Sequence, residues 1–144
     1  MSLQRRTLGR GRLIAAGSAI LVLVGCLLPW FRAGSPEAGI PPVEGNAFAG
    51  AGILTFLAAL AVLGLAALPF AAGERPVAVD RWWSYALLAL AAAAGIVVRI
   101  AGIQADVGTL EAFLPDRAPG VWLAAAGAVG LAIAAAEVRG ESPA

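Results

Sequence analysis

Arg99 is the one charged residue in a long apolar run, Trp82 to Ile103, and it raises the first chemical question. A guanidinium deep in hydrocarbon is unfavourable by a few kcal/mol or more unless it is paired or reaches the surface. Arg99 stands 17 residues after Trp82. At the rise of an α-helix that is about 25 Å, which puts it near the headgroups of the far leaflet. Three fates fit the position. The guanidinium snorkels to the interface, helped by Asp106 further along the same helix face. Alternatively it pairs with Glu44, Asp106 or Glu111 and clamps two outer loops over the helices. In the third, Arg99, Asn46, Gln104 and Trp30 line an outward cleft that takes an anionic headgroup.

The other polar residues within apolar runs are Ser18, Cys26, Thr55, Ser84 and Tyr85, with Asn46 and Gln104 at the rims. No Asp or Glu is among them, and the chain has no His. Ion-coupled transport usually relies on a carboxylate at depth, so that class is disfavoured. Intramembrane proteolysis needs paired Asp, a Ser with a base, or metal ligands, and these constellations are missing too. There is no glycine-rich phosphate loop, no CxxC and no basic patch interleaved with aromatics. The expectation is a non-enzyme without cofactor or metal and without a nucleic-acid partner. Cys26 is a single thiol in an apolar run and reads as core filler. A second reading takes Leu23-Val24-Gly25-Cys26 as a lipoprotein signal, but Leu27 to Trp30 continue a span where a polar tether should follow. Arg5-Arg6 similarly suggests twin-arginine export, yet paired Arg is ordinary beside a first span.

The elements that must position these residues follow from composition. Of 144 residues, 60% are hydrophobic and 13% charged, which is far from a soluble mixture. Four apolar stretches are long enough to cross a bilayer, over 13–31, 47–70, 82–103 and 121–137. Outer loops over 32–46 and 104–120 and an inner loop over 71–81 join them, leaving no room for a separate soluble domain. Pro29 is expected in the last turn of the first span and Asn46 as N-cap of the second. Pro36, Pro41 and Pro42 make the first outer loop irregular, while Leu110, Phe113 and Leu114 suit one amphipathic turn on the interface. The fold class is therefore an all-α, four-transmembrane-helix antiparallel bundle.

Arginine sets the orientation, because basic residues are retained on the cytoplasmic side. With both termini inside, seven Arg (5, 6, 10, 12, 75, 81 and 139) lie in cytoplasmic flanks and two (32 and 117) outside. All ten basic residues are Arg, a usage that suggests a GC-rich bacterial genome and hence the bacterial cytoplasmic membrane. Trp30, Trp82, Trp83 and Trp122 fall at span ends as interface anchors. Ala91 and Gly95, Ala124 and Ala128, and Ala126 and Gly130 are spaced four apart. Gly95 and Gly102, and Gly120 and Gly127, are spaced seven apart. These faces predict close backbone approach on the third and fourth spans.

Leu28-Pro29-Trp30, Gly45-Asn46 with Gly50 and Gly52, and Pro119-Gly120-Val121-Trp122-Leu123 resemble a broad group of small four-span bacterial membrane proteins. That group is common in actinobacteria and its function is unknown. The resemblance implies a membrane location and a four-helix bundle, and transfers no catalytic residue. The expected role is a membrane scaffold or accessory subunit that associates with lipids and with a second copy or another membrane protein. Its alternative is a small pore or a lipid- or anion-binding protein with a cleft at Arg99.

Overall fold

The computed structural model describes residues 8–73 and 78–141. Arg5 and Arg6, and Glu74, Arg75 and Pro76 of the expected inner loop, lie outside the described residues. Among those described, four helices are long and apolar enough to cross a membrane: α1 (Arg10–Leu27), α2 (Gly52–Ala71), α3 (Trp82–Val107) and α4 (Pro119–Glu141). That is the build of a multi-pass membrane protein, since helices satisfy their own amides where no water can.

Helix ends depart from the sequence expectation for local reasons. α1 stops at Leu27, because Leu28 precedes proline and is extended, with φ −84° and ψ 161°. Pro29 thus lies beyond the helix, and the chain after it enters a strand. α3 runs on to Val107, where Gly108 turns into the left-handed region at φ 71° and donates its N–H to the Gln104 carbonyl. α4 begins at Pro119, whose missing N–H is harmless in a first turn. It then continues through Glu137 and Arg139 to Glu141.

The loop between α1 and α2 is a small hairpin. Strands β1 (Phe31–Ala33) and β2 (Val43–Gly45) pair antiparallel, with Arg32 opposite Glu44, and a 3-10 turn at Pro36–Ala38 lies between them. Trp30 adds a further rung by donating its N–H to the Gly45 carbonyl at 2.7 Å. The prolines at 41 and 42 exclude helix but leave the flanking residues free to pair as strands.

Small residues set which helices meet. Gly11 lies against Val138, Gly127 against Ser18 and Val22, and Gly25 against Gly120 and Ala124, so α1 and α4 share one long seam. A Cβ on Gly25 would sit 2.6 Å from the Ala124 backbone nitrogen, and one on Gly120 2.6 Å from the Leu28 carbonyl oxygen. Gly120 also donates its N–H to the Pro29 carbonyl at 2.9 Å. Gly95 faces Thr55 of α2 and Ala51 just before it. The glycine faces of α3 and α4 are thus used, but against α2 and α1 and not against each other. Gly102 takes no part, with nothing near the place of a Cβ. Between α3 and α4 runs an open apolar groove of about 500 Å³ lined by Ala93, Ala125, Ala128 and their neighbours.

Candidate functional site

Arg99 projects from α3 toward the segment that leads into α2. Asn46 starts a 3-10 turn there, Ala47–Ala49, and caps it by accepting the Phe48 N–H on Oδ1 at 3.0 Å. That cap fixes the Asn46 carbonyl, which accepts a long hydrogen bond of 3.4 Å from Arg99 Nη2. A contact of that length is weak. Gly50 follows the turn in extended conformation, and a Cβ on it would lie 3.3 Å from Arg99 Nη1. Arg99 Nε is buried without a hydrogen-bond partner, and so is Gln104 Oε1.

The carboxylates expected to clamp Arg99 are elsewhere. Glu44 holds Arg32 across the hairpin, with Nη2 to Oε2 at 3.0 Å, and both side chains are well exposed. Asp106 and Glu111 are exposed as well. Among the described residues no carboxylate lies within ion-pair distance of Arg99.

Trp30 is also misplaced by the sequence argument. Its side chain is 0% exposed, and the indole donates from Nε1 to the Gly25 carbonyl at 2.9 Å. It neither anchors the chain in an interface nor lines a cleft. Because α1 has already ended, the Pro29 turn folds the ring back under the hairpin. The structure therefore brings Arg99 to the Asn46 carbonyl, and places Glu44 and Asn46 together on a small pocket with Leu27, Pro29, Gly45 and Ala49. No protein-family model, curated protein or solved structure matches this chain.

Trp82, Trp83 and Trp122 remain partly exposed, at 38%, 46% and 55%. Trp122 ties the turn at Leu110–Phe113 to α4 by donating from Nε1 to the Phe113 carbonyl at 2.8 Å. Cys26 is fully buried in the core formed by Ala15, Ala19, Val22 and their neighbours.

The best-satisfied polar cluster was not foreseen. It lies at the start of α3, whereas Arg99 is toward its end. Arg12 of α1 forks onto Asp80, with Nη2 to Oδ2 at 2.7 Å and Nε to Oδ1 at 3.2 Å. Tyr85 adds its hydroxyl to the same Oδ1 at 3.3 Å. Glu141 at the end of α4 accepts the Gly11 N–H, and Arg139 sits 5.0 Å from the Trp82 ring centroid. Three chain segments far apart in sequence are thereby joined. The usable signal was charge sign at span boundaries: Arg12 and Asp80 each flank an apolar run.

Proposed function

We propose that this chain is a non-enzymatic integral membrane scaffold or accessory subunit. In this reading it is an antiparallel four-helix bundle in the bacterial cytoplasmic membrane with both termini in the cytoplasm. The running order of the glycine contacts between α1 and α4 supports the antiparallel arrangement, since residue numbers rise along one helix as they fall along the other. The distribution of arginine, seven against two, supports the orientation.

The observation that carries the functional reading is the chemistry of the interior. Among the described residues the buried polar side chains are Thr55 and Ser84. Both are spent on the fold, donating to the Ala92 and Val79 carbonyls at 2.9 and 2.6 Å. The rest of the core is Ala, Val, Leu, Ile, aromatic rings and the Cys26 thiol. Such an interior suits a structural role and gives little support to conduction or to acid–base chemistry. The alanine-lined groove between α3 and α4 favours association, since small residues let a neighbouring helix approach closely.

Light scattering of the protein extracted from native membranes in mild detergent tests this reading. An assembly larger than one chain is expected, and Ala93→Leu with Ala128→Leu is expected to reduce it by filling the groove. A lone monomer that conducts ions in planar bilayers would favour the pore reading instead. Reporters at either tail test the orientation: both are expected to act only inside the cell.

A further inference from the structure

We infer that Arg99, with the turn from Asn46 to Gly50, forms a binding site for a phosphate group, supplied by a lipid headgroup. The inference needs a bundle in lipid and is independent of the scaffold reading.

Arg99 has donors left over. A guanidinium carries five N–H groups in a fixed fork. Arg99 spends one on the Asn46 carbonyl at 3.4 Å, and its Nε is buried without a partner. Nη1 has no hydrogen bond among the described residues and is not among the buried unpartnered atoms, so it remains accessible. A charged group left this way in an apolar span must find an anion or water from outside the chain.

The protein passes over its own anions. Glu44 is engaged with Arg32, and Asp106 and Glu111 are exposed and do not reach Arg99. The guanidinium is instead held toward Gly50. The backbone there is extended, with φ 163°, a conformation open to any residue. Backbone strain therefore does not demand glycine at this position. A Cβ would meet Nη1 at 3.3 Å, a slightly tight contact, and Cδ at 3.5 Å, an ordinary one, so a side chain at this position would cover the guanidinium. Glycine leaves Nη1 uncovered, so that an oxyanion can reach it.

The depth of the site selects the source. Arg99 lies about 25 Å along α3 from its start, just inside the far edge of a hydrocarbon layer about 30 Å thick, from which its long side chain can reach toward the headgroup phosphates. An Arg fork fits a phosphodiester in both geometry and charge.

Protein purified in dodecyl maltoside, which has no phosphate, is titrated with phosphatidylglycerol, with a diacylglycerol of the same chains, and with inorganic phosphate. Native mass spectrometry and thermal unfolding read the binding. Phosphatidylglycerol is expected to bind and stabilise, and diacylglycerol much less. Arg99→Gln should weaken phosphatidylglycerol binding about tenfold, the effect of one lost charge-assisted contact. Gly50→Val should weaken it as well with Arg99 intact, whereas Arg32→Gln should not. If Arg99→Gln does not fold, Gly50→Val decides. Inorganic phosphate binding as tightly as the lipid, and lost in Gly50→Val, would support the site with a soluble source. The proposal is overturned if the folded variants bind phosphatidylglycerol like the unaltered protein, or if diacylglycerol binds equally well.

Discussion

The Glu141 carboxylate, at the end of α4, accepts the backbone N–H of Gly11, in the first turn of α1, at 2.8 Å. The first N–H groups of a helix have no partner within it, and α1 has no side-chain cap of its own at Gly9. A carboxylate there satisfies one of those donors and also favours the positive end of the helix dipole. The cap comes from a residue 130 positions away, so it closes the α1–α4 seam as well as the helix end.

Removing that cap should therefore loosen the whole seam. Glu141→Ala is expected to cost about 1 kcal/mol, the usual loss for a helix cap. Glu141→Gln keeps an oxygen acceptor but not the charge, and should fall between. Thermal unfolding in detergent, followed by circular dichroism, measures both; equal stability of all three proteins would contradict the role.

The glycines of the seam should differ sharply from a glycine outside it. A Cβ at Gly120 would meet the Leu28 and Pro29 carbonyl oxygens at 2.6 and 2.8 Å, so Gly120→Ala must push two backbones apart. The expected cost is about 1–3 kcal/mol, as for other overpacked sites. Gly17 has nothing within 4 Å of that place. Gly17→Ala should be neutral or gain up to about 1 kcal/mol from helix propensity. Parallel detergent-unfolding titrations compare them, and similar losses for both would disprove the seam.

The four helices were legible because length and apolarity alone decide what can cross a bilayer, and these properties are local. Partner choice was not. Gly120 and Gly127 mark a face for close approach, but nothing in their spacing says that the facing backbone is α1. Trp30 was misassigned for a related reason: an aromatic after a span usually lies in the interface, and only the turn at Pro29 shows the ring folded inward. The hairpin was hidden by Pro and Gly, which exclude helix without announcing a three-residue pair of strands. Arg12 and Asp80 could be noted as opposite charges at span boundaries. Their fork depends on the segment ahead of α3 reaching across to the start of α1, which no local pattern announces.

Tryptophan quenching checks the reassignment of Trp30. In vesicles with brominated acyl chains, single-tryptophan variants retaining Trp82, Trp83 or Trp122 should be quenched, because those rings are partly exposed. A variant retaining Trp30 should emit with little quenching, since protein surrounds the ring. Strong quenching of Trp30 would return it to the lipid interface.

Thr55 joins α2 to α3 through its hydroxyl, which donates to the Ala92 carbonyl at 2.9 Å. Thr55→Val keeps the shape and removes the donor, so about 0.6 kcal/mol should be lost, the typical worth of an interhelical hydrogen bond in a membrane. Thr55→Ser keeps the donor and gives up only a methyl group. If valine proves as stable as threonine in steric-trap or detergent unfolding, the hydroxyl is not joining these helices.

The Arg12–Asp80 fork offers the sharpest separation of a specific contact from general charge. The side chains are 27% and 11% exposed, so the pair is partly withdrawn from water and should resist screening better than a surface pair. Arg12→Gln and Asp80→Asn each leave the other charge beside apolar neighbours, and each should destabilise. The double variant removes both charges together and should lose less than the sum, giving a coupling of about 1 kcal/mol or more. Tyr85→Phe should have a smaller effect, because its contact with Asp80 is longer at 3.3 Å. The same cycle applied to Arg32 and Glu44, whose side chains are 50% and 57% exposed, should give a coupling near zero at physiological salt. Thermal unfolding of the four proteins in each cycle, at low and high salt, supplies the comparison. Equal couplings for the two pairs would mean that partial burial gives the Arg12–Asp80 fork no special role in joining α1 to the segment ahead of α3.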